Sequence, residues 1–83
     1  MKILYFAWLR GKTGMGEEDV DPPAQIADVR GLVEWLKTRS AGHADAFADL
    51  SLVRVAVNQD HVQPDHALKP GDEVAFFPPV TGG

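Results

Sequence analysis

A single segment of this chain has the apolar spacing of a long amphipathic helix. Its apolar side chains recur three and four positions apart, at Val29, Leu32, Val33 and Leu36. Asp28 suits the start of this helix, as its cap or within its first turn, and Ser40-Ala41-Gly42 is predicted to end it. A chain of 83 residues has room for one hydrophobic core, and one helix covers only one face of a sheet. The sequence therefore predicts an α+β fold with one covered sheet face.

The segments on either side of this helix are predicted to form the sheet. The first and last of them are apolar on both faces, which is typical of central strands. The second is expected to turn back antiparallel to the first. His43–Asp49 could add a second, short helix. The expected fold is one domain, residues 1–83, in which residues 78–83 form a flexible C-terminal tail. The mixed sheet is expected to have four to five strands, drawn from Lys2–Arg10, Glu17–Asp21, Leu52–Asn58, Asp60–Gln63 and Glu73–Phe77.

Composition excludes several classes of function. Eight basic residues against twelve acidic ones give a net charge of −4, which argues against a nucleic-acid partner. The chain has no cysteine, so disulfides, thiolate metal sites and a cysteine nucleophile are excluded. No run approaches the roughly 20 apolar residues of a membrane-spanning helix. We therefore expect a cytoplasmic protein that binds neither nucleic acid nor membrane.

The sequence also lacks a convincing catalytic or metal-binding motif. Gly11-Lys12-Thr13 resembles the end of a phosphate-binding loop, but that motif needs a glycine five positions earlier, where Phe6 stands. The histidines at positions 43, 61 and 66 show no zinc-ligand spacing and are interpreted as surface polar residues. No serine has a nucleophile signature. We expect no bound metal and no bound cofactor.

The sheet face opposite the helix is predicted to be an exposed apolar patch. Large exposed apolar patches are typical of interfaces. The alternative is that the segment around Phe47, or a loop, folds over this face. The residues expected on the patch are Leu4, Phe6, Trp8, Ala56 and Phe77.

The C-terminus is the most distinctive part of the chain. The segment Val74–Gly83 carries no charged side chain and ends on Gly82-Gly83. Glycine has no Cβ, so the final dipeptide can pass through a narrow channel and leaves the terminal carboxylate accessible. A frayed terminus is the ordinary alternative. The pattern favours a reactive carboxyl group at the end of an apolar tail.

The last sixteen residues, LKPGDEVAFFPPVTGG from Leu68 to Gly83, carry a family resemblance. Further matches are Leu4-Tyr5-Phe6-Ala7, Arg10 and Ala56-Val57-Asn58-Gln59. The chain resembles the small subunit of molybdopterin synthase, which belongs to the ubiquitin-like sulfur carriers. The resemblance covers essentially the whole chain and implies the β-grasp fold.

The resemblance also implies a chemical role. A ubiquitin-activating-like adenylyltransferase would use ATP to adenylate the Gly83 carboxylate, and a sulfur donor protein would convert the product to a thiocarboxylate. The tail would then enter the large subunit of the synthase, within a heterotetramer. There sulfur would pass to cyclic pyranopterin monophosphate and form the molybdopterin dithiolene. The catalytic lysines would lie on the large subunit, so the chain alone would not be an enzyme.

The resemblance, together with the apolar tail and face, indicates the candidate site residues. Gly83, with Gly82 before it, would carry the acyl-adenylate and the thiocarboxylate. Phe6 and Phe77 match positions at which the family docks its large subunit, and His61 matches a third contact that is usually apolar. The remaining residues expected to bind partners are Trp8, Pro78, Pro79, Val80 and Thr81.

Three other functions are compatible with parts of this pattern. A ubiquitin-like protein modifier would use the same activated carboxyl group but transfer it to lysines of target proteins. A thiamin-pathway sulfur carrier would share the final glycines but lack the Phe-Phe-Pro-Pro-Val-Thr run. A purely structural interaction domain would not need Gly82 and Gly83.

Overall fold

The structure is a computed structural model and describes residues 1–79. Three short helices, one 3₁₀ turn and five strands follow one another in this range. In chain order they are β1 (Lys2–Tyr5), α1 (Trp8–Thr13), β2 (Glu17–Asp19), α2 (Val29–Lys37), α3 (Ala41–Ala46), the 3₁₀ turn (Leu50–Leu52), β3 (Arg54–Val57), β4 (Asp60–Val62) and β5 (Glu73–Phe77).

The five strands form one mixed sheet in the order β2-β1-β5-β3-β4. β5 lies in the centre, parallel to β1 and antiparallel to β3, while β2 and β4 are antiparallel edge strands. The predicted α+β class, the central position of the first and last strands and the antiparallel edge strand β2 are therefore confirmed. Within residues 1–79, no helix has the length and apolar character needed to cross a membrane.

The main helix α2 follows its predicted apolar stripe, and all four stripe residues are buried. The Asp28 carboxylate caps the helix by accepting a hydrogen bond from the Gly31 amide at 2.7 Å. The helix ends at Lys37, earlier than the predicted stop at Ser40-Ala41-Gly42. Ser40 instead begins the next helix, α3, because its hydroxyl accepts a hydrogen bond from the His43 amide at 3.1 Å.

The core lies between α2, α3 and one face of the sheet. Ile3 and Tyr5 of β1 and Val74 and Phe76 of β5 are fully buried there. Phe47 belongs to the same core, and its ring makes an edge-to-face contact with the Phe76 ring at a centroid distance of 4.9 Å. The alternative in which the segment around Phe47 covers the opposite sheet face is therefore wrong.

The first strand is shorter than predicted. The chain leaves the sheet after Tyr5 and turns at Ala7 (φ 56°, ψ −132°) into α1. This helix buries Leu9 completely, whereas a strand continued to Arg10 would carry Leu9 past the core. The predicted turn at Gly11–Gly16 begins only at Gly14, which ends α1 with φ 80°.

The strand predicted at Leu52–Asn58 is also shortened at both ends. The 3₁₀ turn precedes it, held by the Asp49 carboxylate, which accepts a hydrogen bond from the Ser51 amide at 3.1 Å. After β3, Asn58 and Gln59 both have positive φ, 51° and 72°, as a two-residue hairpin turn requires. The last strand has its predicted limits, Glu73–Phe77.

The contact between α1 and α3 provides a test of this fold. A Cβ atom at Gly42 of α3 would overlap the backbone carbonyl oxygen of Lys12, whereas one at Gly11 of α1 would meet no atom within 4 Å. We expect Gly42→Ala to lower the free energy of unfolding by about 1–3 kcal/mol. Gly11→Ala should leave it unchanged or raise it by up to about 1 kcal/mol. Urea unfolding of both variants measures the difference, and equal stabilities would contradict the packing described.

Candidate functional site

The sheet face that points away from α2 carries a row of small and apolar side chains. The register places Leu4 of β1 beside Ala75 of β5, Ala75 beside Ala56 of β3, and Ala56 beside His61 of β4. Because side chains alternate along a strand, these residues face away from the buried Ile3, Tyr5, Val74 and Phe76. We call this surface, with Phe6 and Phe77, the open face.

The aromatic side chains of the open face remain accessible. Phe6 is 49% exposed, and Phe77 is half-buried. The imidazole ring of His61 lies against the Phe77 ring at a centroid distance of 5.2 Å. The sequence prediction of an apolar second face is confirmed for Leu4, Phe6, Ala56 and Phe77, which the register and the alternation of side chains place there. Only the expected exposure of Ala56 is wrong, since this residue is buried and lies in the row between Ala75 and His61.

Trp8 does not lie on the sheet as predicted. It is the first residue of α1 and is 38% exposed. Ala7 directs the chain there by adopting a positive φ, which for a residue other than glycine costs of order 1–3 kcal/mol and occurs often at functional sites. The Phe6 amide donates to the Phe76 carbonyl oxygen at 3.1 Å. Phe6 and Trp8 therefore lie at the end of the sheet where β5 finishes.

The predicted tail continues directly from the central strand. β5 ends at Phe77, and Pro78 and Pro79 follow it half-buried. The predicted contacts at Val80 and Thr81 and the reactive residues Gly82 and Gly83 lie outside the described residues. The described residues therefore include the strand that precedes the predicted tail and the first two residues of that tail.

The opposite end of β5 is held by a polar clamp that the sequence did not reveal. The Asp72 carboxylate accepts hydrogen bonds from the Lys69 amide at 2.8 Å and from Asn58 Nδ2 at 3.0 Å. The side-chain oxygen of Asn58 accepts from the Glu73 amide at 3.1 Å. The hydrogen bonds from Lys69 and Asn58 lower the pKa of Asp72 below its ordinary value. The clamp joins the β3–β4 hairpin turn to the start of β5.

A second polar cluster joins β2 to β1, to α3 and to the segment that follows α2. The Glu18 carboxylate accepts hydrogen bonds from Tyr5 Oη and His43 Nε2, both at 2.7 Å, and lies 3.3 Å from Arg39 Nη2. His43 Nδ1 is 2.7 Å from the Ser40 hydroxyl oxygen. His43 is buried, so its interpretation as a surface residue is wrong, while His61 and His66 are exposed as predicted.

The ionisation of this cluster follows from its contacts. Desolvation raises the pKa of Glu18, but the hydrogen bonds from His43 and Tyr5 outweigh it, so the net pKa is lowered. Burial and the neighbouring Glu18 raise the pKa of the Tyr5 phenol. Glu18 is therefore an acceptor that ties β2 to β1 and α3. In residues 1–79, no three side chains suited to metal ligation lie together.

Comparison with known proteins identifies the family. The sequence model of the ThiS family matches residues 3–83. The chain belongs to the ThiS family. It is 43% identical over 83 residues to the Escherichia coli K12 protein named molybdopterin synthase sulfur carrier subunit, with 100% of this chain and 99% of that protein covered. The human protein of the same name is 34% identical over 86 residues, with 100% and 93% covered.

A solved structure agrees with this assignment. The Pyrococcus furiosus protein described as molybdopterin converting factor, subunit 1, has a TM-score of 0.78 and 39% sequence identity, with 95% of each chain covered. These matches confirm the resemblance to the small subunit of molybdopterin synthase. They also confirm the β-grasp fold that the resemblance implied.

The polar clamp gives this ThiS-family protein an expected acid sensitivity. The hydrogen bonds from Lys69 and Asn58 hold the pKa of Asp72 below its ordinary value in the folded state, so the ionised carboxylate stabilises the fold at neutral pH and loses that contribution as the pH falls through the folded-state pKa. Asp72→Asn should lower stability at pH 7 and flatten the fall in the free energy of unfolding between about pH 5 and pH 2. Urea unfolding across this range is the measurement. If the free energy of unfolding of Asp72→Asn fell with pH in parallel with that of the wild type, the ionised Asp72 carboxylate would not stabilise the clamp.

Proposed function

We propose that this chain is the sulfur-carrying small subunit of a molybdopterin synthase. Three observations support the proposal together. The central strand β5 leads into a run without charged side chains that ends on Gly82-Gly83. An accessible aromatic surface lies beside the start of that run. A full-length relative at 43% identity bears the name molybdopterin synthase sulfur carrier subunit, and this last observation carries the choice of pathway.

The proposed reaction uses the terminal carboxylate of Gly83. Its oxygen attacks the α-phosphorus of ATP on an adenylyltransferase, and pyrophosphate leaves. The resulting acyl-adenylate is a good acyl donor, which a free carboxylate is not. Sulfur delivered by a donor protein at the sulfide level then attacks the carbonyl carbon, AMP leaves with its phosphate oxygen, and a thiocarboxylate remains. A chain without cysteine has no thiol side chain to carry sulfur. The terminal carboxyl group takes that role by becoming a thiocarboxylate.

The described residues perform the docking part of this cycle. β5, hydrogen-bonded on both sides and clamped at Asp72, provides a fixed base from which the tail extends. The open face and the tail are proposed to be buried in the adenylyltransferase first and in the large synthase subunit next. In the large subunit, sulfur passes to cyclic pyranopterin monophosphate, and two such transfers complete the dithiolene. ATP is consumed by the activating enzyme, so no cofactor is resident in this chain.

The setting proposed for this activity follows from the same role. The working assembly is a heterotetramer with the large subunit, in the cytoplasm. The acidic balance of the chain, −4 overall, favours protein partners over nucleic acid. Phe6, His61 and Phe77 are the proposed contacts on the open face, with Trp8 beside them.

Removal of the terminal residue tests the proposed chemistry. We expect deletion of Gly83, or addition of one alanine after it, to abolish molybdopterin formation in a reconstituted assay, because the activated carbonyl is lost or displaced. Circular dichroism and urea unfolding should remain those of the wild type, since the change lies beyond β5. An extended protein that still supports molybdopterin formation would contradict the role of the terminus.

The histidine of the open face gives a separate test of docking. His61 lies against Phe77, and burying its ring nitrogens in an interface requires hydrogen-bond partners that an aliphatic side chain does not need. We expect His61→Leu to tighten binding to the large subunit by roughly three- to tenfold, and His61→Asp to weaken it. Titration calorimetry measures both. Weaker binding of the leucine variant would mean that the partner hydrogen-bonds His61.

A further inference from the structure

The large apolar side chains that the described residues expose are all found at one end of the sheet. They are Phe6 at 49%, Trp8 at 38%, Leu50 at 43% and Leu52 at 49% exposure. Phe6 and Trp8 follow β1, which runs parallel to β5 and pairs Tyr5 with Phe76. They therefore lie on one side of the point where β5 ends. Phe6 belongs to the open face and Trp8 lies beside it, whereas the two leucines are not part of that face.

Leu50 and Leu52 lie on the other side of that point. β3 is antiparallel to β5 and pairs its first residue, Arg54, with Phe77, the last residue of β5. The 3₁₀ turn Leu50–Leu52 comes directly before β3. The end of β5 is thus flanked by exposed apolar side chains on both sides.

The surface beside Leu50 is concave and carries a cation. A groove of about 380 Å³ runs between the 3₁₀ turn and β4, lined by Leu50, Val53, Arg54, Val55, Val62, Gln63 and Pro64. Arg54 is exposed, and its guanidinium hydrogen-bonds only to the backbone carbonyl oxygens of Ser51 and Val53 within the described residues, both at 3.3 Å. No carboxylate side chain lines the groove, although the chain as a whole is acidic.

We propose that Leu50, Leu52 and Arg54 form a second docking surface, the leucine flank, for the large subunit that receives the tail. This inference rests on the proposed function and adds a contact to it. Arg54 links the flank to the open face, because the register places it beside Phe77, while Leu50 lies toward the side of α2. A protein that encloses the tail as it leaves β5 meets Phe6 and Trp8 on one side and the leucine flank on the other. The matching surface is apolar and places a carboxylate opposite Arg54.

Burial of the leucine flank would strengthen binding through the apolar area it removes from water. Two leucines that are each nearly half exposed can still lose apolar area to a partner. Serines at both positions would remove that gain, and we expect them to weaken binding roughly ten- to fiftyfold. Charge reversal at Arg54 would set like charges against each other, which lowers affinity most at low ionic strength.

The test is a titration of the purified large subunit into five forms of this chain. They are the wild type, L50S/L52S, R54E, Phe6→Ala on the open face, and the matched control A24S/A27S, whose two exposed alanines lie in the loop at the opposite end of the sheet. We expect L50S/L52S and Phe6→Ala to bind more weakly and the control to bind like the wild type. R54E should bind more weakly at 50 mM than at 500 mM salt, relative to the wild type under the same conditions. Urea unfolding of each form separates loss of docking from loss of folding.

The outcomes distinguish this inference from the proposed function. If the wild type does not bind the large subunit, the proposed function fails. If Phe6→Ala weakens binding and L50S/L52S does not, the proposed function survives and the leucine flank is overturned. Sedimentation of the free chain completes the test: a wild-type dimer that becomes a monomer in L50S/L52S would assign the flank to a second copy of this chain and overturn the proposal.

Discussion

The pairing of β5 between β1 and β3 is the interaction on which the rest of this structure depends. The strand is hydrogen-bonded along both edges, buries Val74 and Phe76, and is clamped at its start through Asp72. A strand held in this way cannot slide or fray independently of the sheet. Pro78 and Pro79 therefore follow a strand whose end is fixed by the sheet.

The two faces of the sheet differ: one is buried under the helices, and the other is the proposed docking surface. The helix-covered face holds the hydrophobic core, with the Glu18 cluster tying β1, β2 and α3 together at its margin. The other face has small side chains along its central row and aromatic rings toward the end where β5 finishes. A domain with one main helix cannot cover both faces, so the uncovered surface is available to a partner. Ala7, with its positive φ, adds Trp8 beside that surface.

Local patterns predicted the regular parts of this fold and failed where distant residues decide the outcome. The stripe of α2 and the limits of β5 depend on short-range periodicity and turn residues. The end of β1 does not, because the continuous apolar run from Ile3 to Leu9 suits a strand as well as a helix that buries Leu9. His43 is buried through a partner 25 positions away, Glu18, and no spacing in the sequence signals that contact.

The proposed function requires that the terminal carboxyl group of Gly83 become a thiocarboxylate. Its most direct test is the intact mass of protein isolated together with its activating enzyme, a sulfur donor and ATP. The account predicts a mass gain equal to the replacement of one oxygen by sulfur, located by fragmentation in the last peptide. An unchanged mass, or isopeptide conjugates to lysines of other proteins in place of the thiocarboxylate, would contradict it.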